Sequence, residues 1–299
     1  MLQSEENFDI KNLTSFKIGG TIARMYFPES IEEFEEIIKA EPNAFVAGNF
    51  SNILVSSDGV ESAVICTKKL DKISVEGTTL RAGAGVRGTK LSKIAAEQGL
   101  SGLEFMIAFP GSVGGEVFMN AGAHGQTVSD TFKSAKIYCP EKGLLTFSKS
   151  DMEFAYRTSI CQESNYTVLE AEFLLNKSEQ EKIQQRMDEN LAFRKDKQPS
   201  LTLPNCGSIF KNPDGDSAGR LLDATGVKGK ISGGVKVWEN HANFIVNHNA
   251  GSSLDVLRLM AEMYDNVKKE FNIELMPEIR YLGGKNKEEV EICKKLKMI

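Results

Sequence analysis

Ser208 sits in Asn205-Cys206-Gly207-Ser208-Ile209-Phe210-Lys211-Asn212-Pro213, a polar cluster that offers a hydroxyl, an amine and an amide. No His–Asp pair lies nearby in sequence and no GxSxG elbow occurs, so a hydrolase-type serine nucleophile is poorly supported. The remaining chemistry for such a serine is proton donation from its hydroxyl. Arg157, in Phe154-Ala155-Tyr156-Arg157, stands beside an aromatic ring. A guanidinium can grip a carboxylate or phosphate bidentately, although a lone loop arginine is more often plain surface. Glu278 follows Pro277 and by itself reads as an edge carboxylate. His124, His241 and His248 have neither HxxxH nor HExxH spacing, so no metal site is expected. His241 stands at the mouth of an apolar strand, where a structural role is the simpler reading.

Glycine with small polar residues is dense at two places. One is Gly48-Asn49-Phe50-Ser51-Asn52; the other is Pro110-Gly111-Ser112-Val113-Gly114-Gly115, followed by Asn120-Ala121-Gly122. Residues without side chains let backbone N–H groups converge on an anion, and two such loops suit a pyrophosphate-containing cofactor. A third run, Gly83-Ala84-Gly85-Val86-Arg87-Gly88, fits GxGxxG between a strand and a helix. Its strand is short and amphipathic and no second βαβ half follows, so a tight structural turn is the preferred reading.

Alternating elements must position these groups. Ile31, Phe34, Ile37 and Ile38 share a helix face. Short strands are expected at 44–47, 53–55, 63–66, 73–75 and 79–82, then a helix at 90–98, a glycine-rich loop, and strands near 134–138, 144–147 and 167–175. Ile183, Met187 and Leu191 make one helical stripe. The main boundary is placed near residue 178. Beyond it, Asp216 or Ser217 caps a short helix that stops at Gly226, and Leu254 to Phe271 mark a longer one. Residues 285–299 are rich in lysine and glutamate and read as a frayed helix or a disordered tail.

The 299 residues predict about two domains. Hydrophobic residues at 41% and charged residues at 26% exclude a disordered chain, a collagen and a disulfide-dense toxin. A net charge of −5 offers no electrostatic reason to coat nucleic acid or anionic lipid. Five scattered cysteines without a CxxC pair read as reduced thiols. The start has no basic n-region or apolar stretch, and no run nears a bilayer span, so a cytoplasmic protein without membrane partners is expected.

The motifs are far more specific in order than singly. Thr14-Ser15-Phe16-Lys17-Ile18-Gly19-Gly20 and Ser51-Asn52-Ile53-Leu54-Val55 come first. Gly99-Leu100-Ser101-Gly102-Leu103-Glu104-Phe105, the two halves of the second glycine loop, and Tyr156-Arg157 follow. The Ser208 cluster, His241-Ala242-Asn243-Phe244-Ile245-Val246-Asn247 and Pro277-Glu278-Ile279-Arg280 close the set. This series, spanning about residues 14 to 283, resembles the UDP-N-acetylenolpyruvoylglucosamine reductase family, in its shorter class.

The resemblance implies an α+β chain. An FAD-binding domain of the vanillyl-alcohol-oxidase (PCMH) type over residues 1–178 is followed by an α/β substrate-binding domain over 179–284 and a charged tail over 285–299. It implies non-covalent FAD, NADPH as co-substrate, and reduction of UDP-N-acetylglucosamine enolpyruvate to UDP-N-acetylmuramate for peptidoglycan, by a protein favoured to be a monomer. Matching residues imply Arg157 beside the substrate carboxylate, Glu278 as its acidic partner and Ser208 as proton donor. Tyr156, Lys211 and Asn212 become substrate contacts. Gly48, Asn49, Phe50, Ser51, Asn52, Pro110, Gly111, Ser112, Gly114, Gly115, Asn120, Ala121 and Gly122 become flavin contacts. The sequence departs from the family where three consecutive glycines usually precede Ser-Asn, since Asn49 and Phe50 follow Gly48 here. Their side chains are expected to crowd the pyrophosphate or change the loop. That departure leaves a non-catalytic paralogue that binds sugar nucleotide or flavin as a sensor as one alternative, and a flavin oxidase on the same fold with another substrate is another.

Overall fold

The computed structural model describes residues 2–200 and 202–299. Contacts divide the chain into two compact units. Met25–Asn49 and Ala63–Arg194 belong to the first, and Glu5–Arg24, Phe50–Ser62 and Lys195–Ile299 to the second. The sequence reading places one cut near residue 178. The units are instead discontinuous, because Ile53–Val55 pairs in parallel with Arg280–Leu282, a pairing of remote segments that carries no local sequence signal.

The first unit is built on a five-stranded antiparallel sheet in the order Gly143–Ser148, Phe132–Cys139, Thr167–Leu174, Thr79–Gly83, Ile73–Glu76. Burial along Gly143–Ser148 alternates strictly, as a half-solvated strand should. Helix Gly88–Glu97 buries Leu91, Ala95 and Ala96; Leu91 and Ala95 join the core formed with Leu80, Phe105, Val117 and Phe173. A second layer holds helix Ile31–Ala40, started by Ser30, whose Oγ accepts the Glu33 amide at 3.1 Å. Its apolar stripe sets Phe34 edge-on to Tyr138, ring centres 5.6 Å apart. Helix Gln180–Lys197 buries Ile183 and Met187 against Ala96, Ile107 and Ala108. The third residue of the expected stripe, Leu191, is exposed instead.

The GxGxxG run is a structural turn. Its strand, Thr79–Gly83, pairs antiparallel on both sides, whereas a dinucleotide fold needs parallel strands. The glycines permit close approach: a Cβ on Gly83 would lie 2.2 Å from the Leu70 carbonyl oxygen, and one on Gly85 2.3 Å from that of Thr67.

The second unit carries a four-stranded antiparallel sheet in the order Asn205–Ser208, Phe244–Asn247, Val235–Val237, Ile231–Ser232. Helix Ser253–Phe271 starts in a capping box of Ser252 and Asp255 and ends at Asn272 in the left-handed region. It lays Val256, Leu257, Met260 and Val267 into one core with Phe16, Leu54, Leu221 and Ile245. Ser217, not Asp216, accepts the capping N–H of helix Ala218–Ala224.

Residues 285–299 are helical as one of the two readings had it, but docked rather than frayed. They form helix Lys287–Lys295, capped by Asn286, with Cys293 and Leu296 buried in the core of the second unit. Charges dominate the composition, but two apolar residues on one face decide the docking. No helix among the described residues is long and apolar enough to cross a membrane.

Candidate active site

In the second unit, strand Asn205–Ser208 meets Phe244–Asn247 through a bulge. Asn205 opposes Val246, yet Ser208 already opposes Phe244. Gly207 absorbs the extra residue at φ +79°, and its N–H donates to Asn205 Oδ1 at 3.0 Å. A bulge re-aims the side chain that follows it, here Ser208. Asn243, 3% exposed, then holds the next residues: its Oδ1 accepts the Phe210 N–H at 2.9 Å and its Nδ2 donates to the Phe210 carbonyl at 2.8 Å.

The segment behind Ser208 is stitched to the one that carries Glu278. The Glu278 N–H donates to the Ile209 carbonyl and the Lys211 N–H to the Met276 carbonyl, each at 2.8 Å. Pro277 lacks an N–H, so its neighbours make both bonds. The backbone segments that carry Ser208, Lys211 and Glu278 are thereby held side by side, and all three residues are half-buried. On the far side, Asn52 Nδ2 donates to the Glu278 carbonyl at 2.9 Å and the Arg280 N–H to the Asn52 carbonyl at 3.0 Å. Asn212 Oδ1 accepts the Ala218 N–H at 3.0 Å, and the Asn212 side chain is exposed. Cys206, 2% exposed, has its thiol held well above the usual range, by burial first and by the Glu278 charge second. It is a packing residue, not a nucleophile. His241 is held below its usual range chiefly by burial, and its Nδ1 accepts the Asn243 N–H at 3.2 Å.

In the first unit, Arg157 is fixed at φ +55° in the short turn that pairs Ala155 with Thr158. One guanidinium nitrogen donates to the Gly122 carbonyl at 2.8 Å, and the guanidinium carbon lies 5.2 Å from the centre of the Tyr156 ring. Tyr156 itself is 54% exposed. Asn120, buried, donates from Nδ2 to the Ala155 carbonyl at 2.9 Å and accepts the Ser129 N–H at 3.0 Å. The Asn120–Gly122 and Tyr156–Arg157 motifs therefore form one assembly.

The two glycine loops also meet. A Cβ on Gly48 would lie 2.1 Å from Ser112 Oγ, and Asn49 Nδ2 donates to the Pro110 carbonyl at 2.5 Å. Phe50 takes φ +48°, a position that favours glycine, and its ring is 1% exposed. The ring is spent in the protein's own interior, which leaves little of it to crowd a ligand. Its carbonyl accepts from Ser15. Ser112 Oγ is buried and, among the described residues, has no hydrogen-bond partner. An orphan hydroxyl packed against a glycine backbone is the kind of donor a dinucleotide cofactor uses, so these loops fit FAD.

Sequence reasoning missed the residues that hold the site rather than form it. Asn243 lies inside a noted motif but has no spacing that announces its clamp. Glu116, 3% exposed, packs its carboxyl against Gly88 without a well-formed hydrogen bond. Burial pushes its pKa up to about 8, the Gly88 backbone opposing only in part.

A family model described as an FAD binding domain matches residues 22–147. One described as the C-terminal domain of UDP-N-acetylenolpyruvoylglucosamine reductase matches residues 198–282. The UDP-N-acetylenolpyruvoylglucosamine reductase of Latilactobacillus sakei is 39% identical over 284 residues, covering 94% of this chain and 93% of its own. That of Clostridium beijerinckii is 40% identical over 272 residues, covering 90% and 89%. The crystal structure of the Thermus caldophilus reductase superposes with a TM-score of 0.81 at 31% identity, over 95% of this chain and all of that one. The fold is thus the expected α+β arrangement, an FAD-binding domain combined with the C-terminal domain of the reductase family. On these grounds the chain belongs to the UDP-N-acetylenolpyruvoylglucosamine reductase family.

Proposed function

We propose that this protein reduces UDP-N-acetylglucosamine enolpyruvate to UDP-N-acetylmuramate at the expense of NADPH, in peptidoglycan precursor synthesis. The observation that carries the reading is the side-by-side placement of the segments that carry Ser208, Lys211 and Glu278, stitched together by the two backbone bonds across Pro277. FAD, when bound, would supply the hydride-transfer chemistry that links NADPH to the vinyl group of the sugar nucleotide. Gly48, Asn49, Ser51 and Asn52 on one loop would hold it, with Ser112, Gly114, Gly115 and Asn120 to Gly122 on the other.

The chain's own residues handle the charge and the proton. Addition of hydride to the methylene carbon leaves negative charge on the neighbouring carbon and its carboxylate. Arg157 neutralises that carboxylate, with its guanidinium already oriented by Gly122 and Tyr156. Ser208 donates its hydroxyl proton to the carbon, and Glu278 supports the same developing charge by hydrogen bonding. Lys211 offers a cation to the carboxylate or diphosphate, with Asn212 and Tyr156 at the edge of the site. The five cysteines are all free and buried, which supports a reducing, cytoplasmic setting.

An anaerobic titration tests this reading. The purified protein is expected to be yellow, to bleach with NADPH and to regain colour with UDP-N-acetylglucosamine enolpyruvate. Failure of the sugar to restore the oxidised spectrum would overturn it. Colour restored rapidly by air alone would favour an oxidase instead.

A further inference from the structure

The mechanism leaves one buried carboxyl group of the second unit unused. Glu289, 1% exposed, lies in the first turn of helix Lys287–Lys295, beyond residue 282 where the match to the family's C-terminal domain ends. A glutamate is almost never so buried unless its oxygens are paired. Three hydroxyls converge on this one. Ser56 Oγ and the Tyr281 phenol donate to Oε2 at 2.7 and 2.6 Å, and Ser253 Oγ donates to Oε1. Burial, reinforced by Glu289, pushes the Tyr281 phenol up, so it stays a donor.

The donors lie on the elements behind the site. Tyr281 is the middle residue of Arg280–Leu282, opposite Leu54, and Ser56 directly follows the partner strand Ile53–Val55. The same carboxyl group therefore grips both strands. Upstream on these strands stand Asn52 and Glu278, joined by the Asn52 side chain at 2.9 Å. A parallel ladder of three residue pairs is short, and a slip of one residue turns every side chain to the opposite face. Ser253 extends the grip: its Oγ accepts the Ser57 N–H at 2.7 Å, and its N–H donates to Ser57 Oγ at 2.9 Å.

We propose that Glu289 is a positioning residue for the reduction, setting the register of the strand that carries Glu278 against the strand behind Asn52, and so placing Glu278 beside Ser208. The inference rests on the reading of Glu278 as a site carboxyl.

The test is anaerobic stopped-flow on the FAD-loaded protein, comparing Glu289→Leu, Glu289→Gln, Glu278→Gln and the double variant Glu278→Gln/Glu289→Leu. Glu289→Leu is expected to slow sugar-dependent reoxidation by about tenfold or more while reduction by NADPH stays within about twofold, and to lower kcat more than it changes KM for the sugar. Glu289→Gln, which keeps one oxygen acceptor, is expected to recover part of the loss. The double variant should be no slower than Glu278→Gln alone, since coupled residues are not additive. Wild-type reoxidation in Glu289→Leu, equal slowing of both half-reactions, or multiplying effects in the double variant would each overturn the inference and leave Glu278's role standing. Wild-type reoxidation in Glu278→Gln would overturn both. Should Glu289→Leu fail to fold, Tyr281→Phe, which removes a single hydroxyl, carries the same comparison.

Discussion

Ser208 illustrates how one side chain acquires a task from its backbone. A serine hydroxyl is a weak acid, so in the proposed role Ser208 would work only against a strongly basic carbon held close to it. The bulge at Gly207 and the Asn243 clamp supply that placement. Ser208→Ala is expected to leave bleaching by NADPH within about twofold while slowing sugar-dependent reoxidation by a factor on the order of 100 or more, the usual scale for general-acid groups. Rapid-mixing of the two half-reactions checks it, and equal loss in both would make the serine structural. The candidacy of Ser208, Arg157 and Glu278 was legible in the sequence, because each stands in a distinctive local motif. Asn243 was not, because a side chain that clamps a remote backbone leaves no periodic trace.

At the scale of elements, local rules predicted most helices and strands closely. Helix Ile31–Ala40 follows from its apolar stripe, and Ser253–Phe271 from its apolar face. The last helix is where pattern reading failed. Its composition is that of a solvated tail, yet Cys293 and Leu296 are fully buried and Glu289 ties it to Ser56, Ser253 and Tyr281. Removing residues 285–299 would bare that apolar surface and leave buried hydroxyls unpaired. A loss of about 4 kcal/mol or more follows from burying two such side chains and from the cost of orphaned polar groups. The urea midpoint of the truncated protein measures it; an unchanged midpoint would show the helix to be dispensable.

For the molecule as a whole, Glu116 makes stability depend on pH. An exposed glutamate ionises near 4.5, whereas burial holds this carboxyl protonated to about 8. Between those values the unfolded chain binds fewer protons than the folded one, so stability falls as pH rises and levels off above about 8. Replacement by glutamine removes the titrating group. Relative to Glu116→Gln, the wild type is expected to lose on the order of 4 kcal/mol between pH 5 and pH 8.5. Urea titrations of both proteins at the two pH values check this, and parallel midpoints would place the Glu116 pKa near its ordinary value. Glu116, four residues after Ser112, carries no sequence signal of burial; its packing against Gly88 is a feature of the fold.

What the sequence determined by itself was the family, and with it which loops and side chains are candidates for flavin binding and reaction. These rest on short runs whose residue types are dictated by local backbone demands and by the chemistry they perform. The tertiary structure decided which remote segments meet. It zipped Ile53–Val55 to Arg280–Leu282, drew segments 5–24 and 50–62 into the second unit, and turned a charged tail into a structural helix. Such choices depend on the summed burial of many weak contacts and on satisfying every buried polar group, quantities that belong to the folded whole.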